Sequence, residues 1–364
     1  MTKPTKIAVL CNYELLPERV GGMDAFFWEF DKKCKEANIE VDWFFPNGAT
    51  HGDYQLLNIK YDSSKSIESF FLESLAQQET NYTHIITHFL ELCTPFFKQV
   101  KQWSKAKVIA VDHNPRPLEG YPVIKKIKKR IKGLLYSRYI DVFIGVSAYT
   151  VQELLKDFGK HIQPKTQVIY NGIDIRKIAT RTVRSKEKPT FLTASHLRHS
   201  KGIQDLIQAV ALLPEAIKQE LKIAVFGDGP YRTQLESMVH KLKLNNCFNF
   251  KGSTAQLNTI YCNYDYLIHP SHEETFCYSV IEALAANVIP ITTEEGGNVL
   301  NILENGKNGF LFKAKDIQHL SNLITQIWTG NISIEANTRN LIEDRFTIDK
   351  MVTNYFNLLD RRLP

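Results

Sequence analysis

Two carboxylates stand eight positions apart in "HPSHEETFCYSVIEALA", residues 269–285, with Glu274 before an apolar run that reads as a helix and Glu282 inside it. A helix start presents unpaired backbone amides and partial positive charge, the chemistry that holds a phosphate or a sugar hydroxyl. An acid on either side adds acceptors for further hydroxyls. Glu282 also has a purely structural account. Ser279-Val280-Ile281-Glu282 matches the S-x-x-E capping box, in which the acid reaches back to the N-cap amide. Both accounts stand on the sequence alone. Val280, Ile281, Ala283, Leu284 and Ala285 predict a helix buried nearly all round, and Asn287 can supply the left-handed residue that ends it.

Other polar residues gather in the same half of the chain. "TFLTAS" runs into His196, Arg198, Lys201 and Gly202, "KIAVFGDG" ends at Gly227, Asp228 and Gly229, "CFNFKG" ends at Lys251 and Gly252, and "YDYLIHPS" leads to Glu273 and Glu274. Ligands of doubly wound sheets bind outside the carboxyl ends of the strands, so cations, glycines and acids placed just after strands mark one rim. Singly, each has a plain explanation: Lys201 as a solvated loop cation, "GDG" as a strand-to-helix turn. As a dinucleotide fingerprint "GDG" fails, because Arg232 occupies the third glycine's place. In the other half, "GGMDAFFWEF" supplies Gly21 and Gly22 after the first strand. They form neither a Walker nor a dinucleotide loop, though they let a backbone approach a ligand closely.

The elements that must position these residues follow from the pattern. The chain has 364 residues, 43% of them hydrophobic and 23% charged, more than one core usually fills. Short β-rich runs ("KIAVLCNY", "EVDWFF", "HIITHF", "KVIAVDH", "DVFIGVS", "TQVIYNGID") alternate with helical patterns, which predicts a parallel sheet covered by helices. After a charged stretch the alternation restarts with "TFLTAS", "KIAVFGDG", "CFNFKG", "YDYLIHPS" and "VIPITTEEGG". The expectation is an α/β chain of two doubly wound Rossmann-like domains. The first spans residues 1–175, a linker 176–188 and the second 189–343, and a terminal helix in 344–364 is able to cap either one.

Six cysteines (Cys11, Cys34, Cys93, Cys247, Cys262, Cys277) show no C-x-x-C or Cys/His cluster, which argues against zinc and against a disulfide framework. The first apolar run is too short for a signal segment and no window reaches membrane-spanning length, so the expected location is cytoplasmic. A net charge of +6 is mild for this size, but its clustering is informative. "VIKKIKKRIKGLLYSRY", residues 123–139, places Lys125, Lys126, Lys128, Lys129, Arg130 and Lys132 among Val123, Ile124, Ile127, Ile131, Leu134 and Leu135 at helical spacing. Two readings compete: a surface helix whose apolar stripe lies on the sheet, and a helix that docks to an anionic membrane, peripheral on its inner face, or to an acidic glycan. Nucleic acid is not an expected partner, since no base-stacking platform accompanies the charge.

At this point the chain resembles the retaining nucleotide-sugar glycosyltransferases of family 4, which share the GT-B fold of two Rossmann-like domains facing across a cleft. The resemblance rests on the E-x7-E signature from Glu274 to Glu282, with "YNGID", "HLRHSKGIQDLIQAVALL", "FGDGPYRTQLE", "FKGS", "HPS", "EEGG" and "ENGKNGFLF" in order. It implies a donor site in the second domain. There Lys201 contacts the diphosphate, Glu282 the ribose and Glu274 the transferred sugar, while the backbone of Phe276, Cys277 and Tyr278 faces sugar and phosphates. His196, Arg198, Gly227, Gly229, Lys251 and Gly252 join the donor rim. In the acceptor-side domain, Gly21, Gly22 and Met23 match the loop under the diphosphate and near the acceptor, and His113 of "VDHNPRP" matches a histidine that contacts the sugar, so His113 and Glu274 are the expected catalytic pair.

The resemblance further implies polysaccharide biosynthesis by a front-face transfer of a hexose to a glycan, lipid-linked or other hydroxyl acceptor. The leaving phosphate takes the acceptor's proton, with no metal and no resident cofactor; a UDP-sugar is the working expectation for the donor. The absence of a D-x-D at a strand end agrees with metal independence. The chain departs from the family at three places. Ser195-His196-Leu197 replaces G-R-L, Thr275 and Cys277 replace the glycines of E-G-F-G, and Leu300 replaces the acid after "GG". Those departures keep a catalytically silent nucleotide-sugar-binding subunit in view; a sugar-nucleotide epimerase on the same fold is a further alternative without specific support in the sequence.

Overall fold

Strands that are apolar on both faces need cover on both sides, and helices provide it here. The computed structural model of the chain describes residues 5–17, 20–77, 81–182 and 188–359. Contacts divide it into two units: residues up to Pro115, Glu119–Gly172 and Ile348 onward form the first, Arg116–Leu118 and Ile173–Thr347 the second. Of the linker expected at 176–188, residues 183–187 lie outside the described residues.

The first unit runs β1 (Thr5–Cys11), α1 (Gly22–Glu36), β2 (Ile39–Phe44), β3 (Asn58–Lys60), α2 (Ile67–Gln77), β4 (His84–His88), α3 (Pro95–Trp103), β5 (Lys107–Asp112), α4 (Val123–Tyr136), β6 (Val142–Gly145), α5 (Ala148–Phe158) and β7 (Thr166–Val168). Among the described residues its strands form a seven-stranded parallel sheet in the order β3-β2-β1-β4-β5-β6-β7. Met23, Phe26, Phe27, Phe30 and Cys34 recur at helical spacing and give α1 its buried face. The second unit runs β8 (Phe191–Ala194), α6 (Ile203–Ala211), α7 (Glu215–Glu220), β9 (Ile223–Phe226), α8 (Arg232–Lys241), β10 (Phe248–Gly252), α9 (Leu257–Ile260), β11 (Tyr266–His269), α10 (Tyr278–Ala285), β12 (Ile289–Thr293), β13 (Phe310–Phe312), α11 (Ile317–Trp328) and α12 (Asn340–Glu343). Its six-stranded parallel sheet has the order β10-β9-β8-β11-β12-β13. The last helix, α13 (Ile348–Asn357), belongs to the first unit and lies on α1. The Tyr355 ring sits 4.8 Å from Phe26, and Lys33 Nζ donates to Thr353 Oγ1 at 3.1 Å.

The fold is therefore the expected one, two parallel-sheet Rossmann-like α/β units. Each sheet reverses its strand order beside its first strand, between β1 and β4 and between β8 and β11, and such a switch point opens a crevice at the strand ends. The strands absent from the sequence reading, β3 and β13, are three-residue edge strands, and three residues alone carry no period; the equally short edge strand β7 is read only as part of the longer run "TQVIYNGID".

Helix α4 overturns the expectation that its apolar stripe lies on the sheet. Val123, Ile124, Ile127, Ile131, Leu134 and Leu135 are all exposed, between 48% and 70%. The opposite face packs instead. A side chain at Gly133 would collide with the Phe158 carbonyl of α5, so glycine is what lets the two helices approach. Helical hydrogen bonding ends at Tyr136, and residues 137–139 continue as a 3₁₀ turn.

Candidate active site

The two strands that flank the second switch point deliver the two most polar loops. From β8 the chain passes Ser195–Arg198 into a 3₁₀ turn, His199–Lys201, before α6. From β11 it passes Pro270–Thr275 before α10. Hydrogen bonds fasten the loops to each other: His272 N–H donates to Ser200 O at 2.8 Å, and the His272 ring meets Asp205 of α6 at 2.5 Å. Gly202, with φ +69, stands where any side chain would strike the Pro270 carbonyl oxygen. From the β12 side, Thr293 Oγ1 and Asn298 Nδ2 donate to Ser271 O at 2.6 and 3.2 Å. The β11 loop is thus held on both flanks, and Glu274 projects from a fixed backbone.

Lys201 and Glu274 meet. Lys201 Nζ donates to Glu274 Oε1 at 2.5 Å, and His269 Nε2 lies 3.2 Å from the same oxygen. The His269 side chain is only 2% accessible and its Nδ1 has no partner among the described residues, so the proton belongs on Nε2, directed at the carboxylate. Burial pushes the Glu274 carboxyl up, but the Lys201 ammonium and His269 outweigh it and bring its pKa down to about 2. Burial likewise works against the Lys201 ammonium, and Glu274 overrides it, holding the lysine above its ordinary value. Both groups are charged at neutral pH, a fixed cation and a fixed anion at the strand tips. His269, Glu274 and Cys277 each place a metal-ligand type of atom within 4.8 Å of the others. Burial raises the Cys277 thiol well above its usual range, however, and Lys201 already supplies the cation beside Glu274.

Helix α10 starts two residues earlier than a capping box at Ser279 requires, and this removes the structural account of Glu282. Cys277 is the N-cap, and Ser279 Oγ donates instead to Ala194 O at 2.7 Å, tying the helix start to the end of β8. The first-turn amides have no acceptor within the helix. Glu282 accepts from Tyr261 Oη at 3.0 Å, and burial, opposed by that hydrogen bond, raises its pKa to about 7. Val280, Ile281, Ala283, Leu284 and Ala285 are buried as their spacing predicts, and Asn287 adopts φ 64 at the helix end.

The remaining residues expected on the donor side stand on the loops after β8 and β9, at the end of β10 and at the start of α10. Gly227 N–H donates to Gly252 O at 2.9 Å, and Leu197 N–H donates to Asp228 O at 2.9 Å, so the loops after β8, β9 and β10 are zipped together. Gly227, at φ +111, has the Ser195 carbonyl oxygen where its side chain would stand, and Gly229 has that of Leu197. These glycines serve loop packing. His196 and Arg198 are exposed on that loop, close enough to Asp228 and Lys201 respectively to influence their ionisation. Lys251 is exposed at the tip of β10, the edge strand, and is not drawn into the Lys201–Glu274 cluster. Phe276 and Cys277 are buried; the Phe276 ring lies 5.1 Å from Tyr278 and 5.9 Å from Phe346. Neither Thr275 nor Cys277 has positive φ, so the turn runs without glycine at either place and without backbone strain. Gly297 provides the room, since a side chain there would strike the Thr275 backbone.

In the first unit, the residues expected on the acceptor side also stand at strand tips around the switch point. Gly21 N-caps α1, and its N–H donates to Asp24 Oδ2 at 2.8 Å. Buried Asp24 also accepts from Tyr13 and Tyr54 at 3.1 and 2.5 Å. Met23 is buried beneath this turn. A side chain on Gly21 would find no atom nearer than 4.0 Å, and φ is −146, so the fold itself does not require glycine there. His113, after β5, is held by His88 of β4, with His88 Nδ1 and His113 Nε2 3.0 Å apart, and stacks on Phe89 at 4.1 Å. Burial lowers the His113 pKa to about 3, so the ring is neutral at physiological pH.

His269, Tyr261 and His88 escaped the sequence reading as site residues. His269 had a signal, a polar residue closing an apolar strand five positions before Glu274. Tyr261 and His88 had none, because their partners are remote in the chain.

Comparison with known proteins bears on the family and the fold. The model of "Glycosyltransferase Family 4" matches residues 20–177, and that of "Glycosyl transferases group 1" matches residues 174–343. The chain is 25% identical over 235 residues to the UDP-N-acetylglucosamine--peptide N-acetylglucosaminyltransferase GtfA subunit of Streptococcus agalactiae, covering 62% of this chain and 46% of that one. It is 24% identical over 228 residues to the N-acetyl-alpha-D-glucosaminyl L-malate synthase of Bacillus anthracis, covering 59% of this chain and 58% of that one. The match thus spans about half the length of these curated relatives. The fold superposes on Anabaena HepE, solved in complex with UDP and glucose, with a TM-score of 0.75, 19% identity and coverage of 98% of this chain and 99% of that one. Two family models that meet at the boundary between the units, and a GT-B fold over nearly the whole length, make this chain a member of the family 4 glycosyltransferases.

Proposed function

We propose that the chain is a retaining glycosyltransferase that moves a hexose-type sugar from a nucleoside diphosphate to a hydroxyl acceptor on a glycan or lipid-linked glycan. The observation that carries this reading is the Lys201–Glu274 ion pair beside the start of α10, at the switch point of the second sheet. Lys201 and the first-turn amides of α10 are suited to the diphosphate, whose charge grows as the glycosidic bond breaks. Glu282 accepts from ribose hydroxyls, and Glu274, oriented by His269 and Lys201, accepts from sugar hydroxyls. The bond from the anomeric carbon to the phosphate oxygen breaks with its electrons going to phosphate. The acceptor oxygen bonds to the anomeric carbon on the same face, and its proton passes to the departing phosphate. No protein base is needed, and neutral His113 is suited to hydrogen-bond a sugar hydroxyl. Positive charge at the leaving group comes from Lys201, with His196 and Arg198 near it on the β8 loop.

A UDP-hexose is the favoured donor: the streptococcal relative's name carries UDP-N-acetylglucosamine, and HepE was solved with UDP and glucose. The test combines calorimetry with UDP, UDP-glucose and UDP-N-acetylglucosamine and an assay of UDP release with hydroxyl acceptors. Acceptor-dependent release with an α-linked product is expected, and Glu274→Ala should abolish release while UDP still binds. Release without any acceptor would favour a hydrolase, and conversion of the donor to an epimeric UDP-sugar without release would favour an epimerase. No heat with any nucleoside diphosphate sugar would end the reading.

A further inference from the structure

Helix α4 is turned inside out relative to an ordinary surface helix. At 3.6 residues per turn, Val123, Ile124, Ile127, Ile131, Leu134 and Leu135 fall within an arc of roughly 120°, and all six are exposed. The face that packs on the unit is polar. Lys129 Nζ donates to Asp157 at 2.9 Å and lies 4.7 Å from the Tyr121 ring, Lys125 lies 4.0 Å over that ring, and Lys132 pairs with Glu91 at 2.6 Å. Three further cations stand at the margins of the apolar arc, Lys128 on one side and Lys126 and Arg130 on the other. Among the described residues, none of these three is in an ion pair. The helix carries no acid.

We propose that α4 docks on an anionic lipid bilayer, lying in the interface with its aliphatic stripe against the acyl boundary and Lys126, Lys128 and Arg130 among the headgroups. An apolar stripe edged by basic side chains on an otherwise charged helix is the pattern of interfacial helices, and long basic side chains reach sideways to the headgroup level. Protein interfaces favour aromatic anchors and are depleted in lysine, whereas this face has only aliphatic residues bordered by lysine and arginine. Anionic headgroups are its charge complement. No helix among the described residues is long and apolar enough to cross a membrane, so attachment of this kind lies on the surface. The proposal is independent of the glycosyl-transfer reading.

The test is co-sedimentation of the purified full chain with phosphatidylcholine vesicles and with mixed phosphatidylcholine–phosphatidylglycerol vesicles, at low and high salt. Pelleting is expected with the anionic vesicles and should fall as salt rises. Ile127→Asn with Ile131→Asn should weaken it about tenfold or more. Lys126→Gln, Lys128→Gln and Arg130→Gln together should weaken it about a hundredfold and flatten the salt dependence. All five positions are exposed, so circular dichroism and Tm should match the parent chain; Lys201→Ala should pellet normally, separating this surface from the donor site. Absence of pelleting at low salt, or equal pelleting by the isoleucine variant, overturns the proposal. A concentration-dependent dimer in sedimentation velocity that the isoleucine variant abolishes would assign the stripe to a second copy of the chain and overturn it equally.

Discussion

Removing Lys201 tests whether the β8 and β11 loops form one electrostatic unit. Glu274 is held at about 2 against an ordinary 4.5, and such a difference is worth roughly 3 kcal/mol of stability at neutral pH. Both side chains are well shielded, 21% and 13% accessible, so little of this is lost to solvent screening. The sign follows from the lowered value. The unfolded chain takes up the proton first, so the contribution is complete above about 4.5 and is lost as pH falls towards 2. Lys201→Met leaves a buried carboxylate with His269 as its remaining hydrogen-bond donor among the described residues, and should destabilise the second unit by about 3 kcal/mol. Glu274→Gln should cost less, because the lysine stem can move its charge towards water. The double variant should recover much of the loss, giving a coupling energy of about 2 kcal/mol. Urea unfolding at neutral pH, with the transition of each unit fitted separately, measures all three. The gap between the parent and Lys201→Met should narrow as pH is lowered below about 4.5. A Lys201→Met cost within about 0.5 kcal/mol, or a coupling near zero, would mean that Lys201 is a solvated loop cation and that no fixed charge pair stands at the switch point.

Glu282 supplies a pH dependence of opposite sign. Its pKa, raised to about 7, means the folded chain keeps a proton that the unfolded chain loses near 4.5, so its contribution to stability declines as pH rises through that window. Ribose hydroxyls that donate to the carboxylate select its ionised form, so UDP affinity in calorimetry should weaken about tenfold per unit below pH 7, and Glu282→Gln should flatten the profile. A parent profile without a break near 7 refutes that contact. Two glycines should separate fold from function. Gly21→Ala should change stability by less than about 0.5 kcal/mol yet sharply lower kcat/KM, because only a ligand needs that space. Gly227→Ala should cost about 2 kcal/mol or more through the Ser195 carbonyl and a left-handed φ. Thermal unfolding together with transfer kinetics reads both, and equal effects in the two variants would count against the distinction.

Much of this was legible in the linear chain, for a physical reason. Strands buried on both faces read as apolar runs, and alternation with helical periods identifies doubly wound units whatever the detail. A loop that follows such a strand must emerge at the ligand-binding edge, so Lys201, Glu274 and the glycines after β8, β9 and β10 could be placed on one rim without coordinates. Three residues carry no period by themselves, so the edge strands β3 and β13 went unread, whereas the equally short β7 lay inside the longer run "TQVIYNGID". Other features depend on where remote segments meet, and only the tertiary structure decided them. Ser279 reads locally as a helix cap, but the carbonyl of Ala194, remote in the chain, takes its hydroxyl and leaves Glu282 to Tyr261. His269 is one more residue of an apolar strand until the Lys201 loop brings a cation to the same carboxylate. The composition of α4 revealed two faces, but local spacing carries no information about which face a helix turns to its neighbours. Gly133 meeting the Phe158 carbonyl, with Lys129 reaching Asp157, turned the charged face inward and left the isoleucines in water.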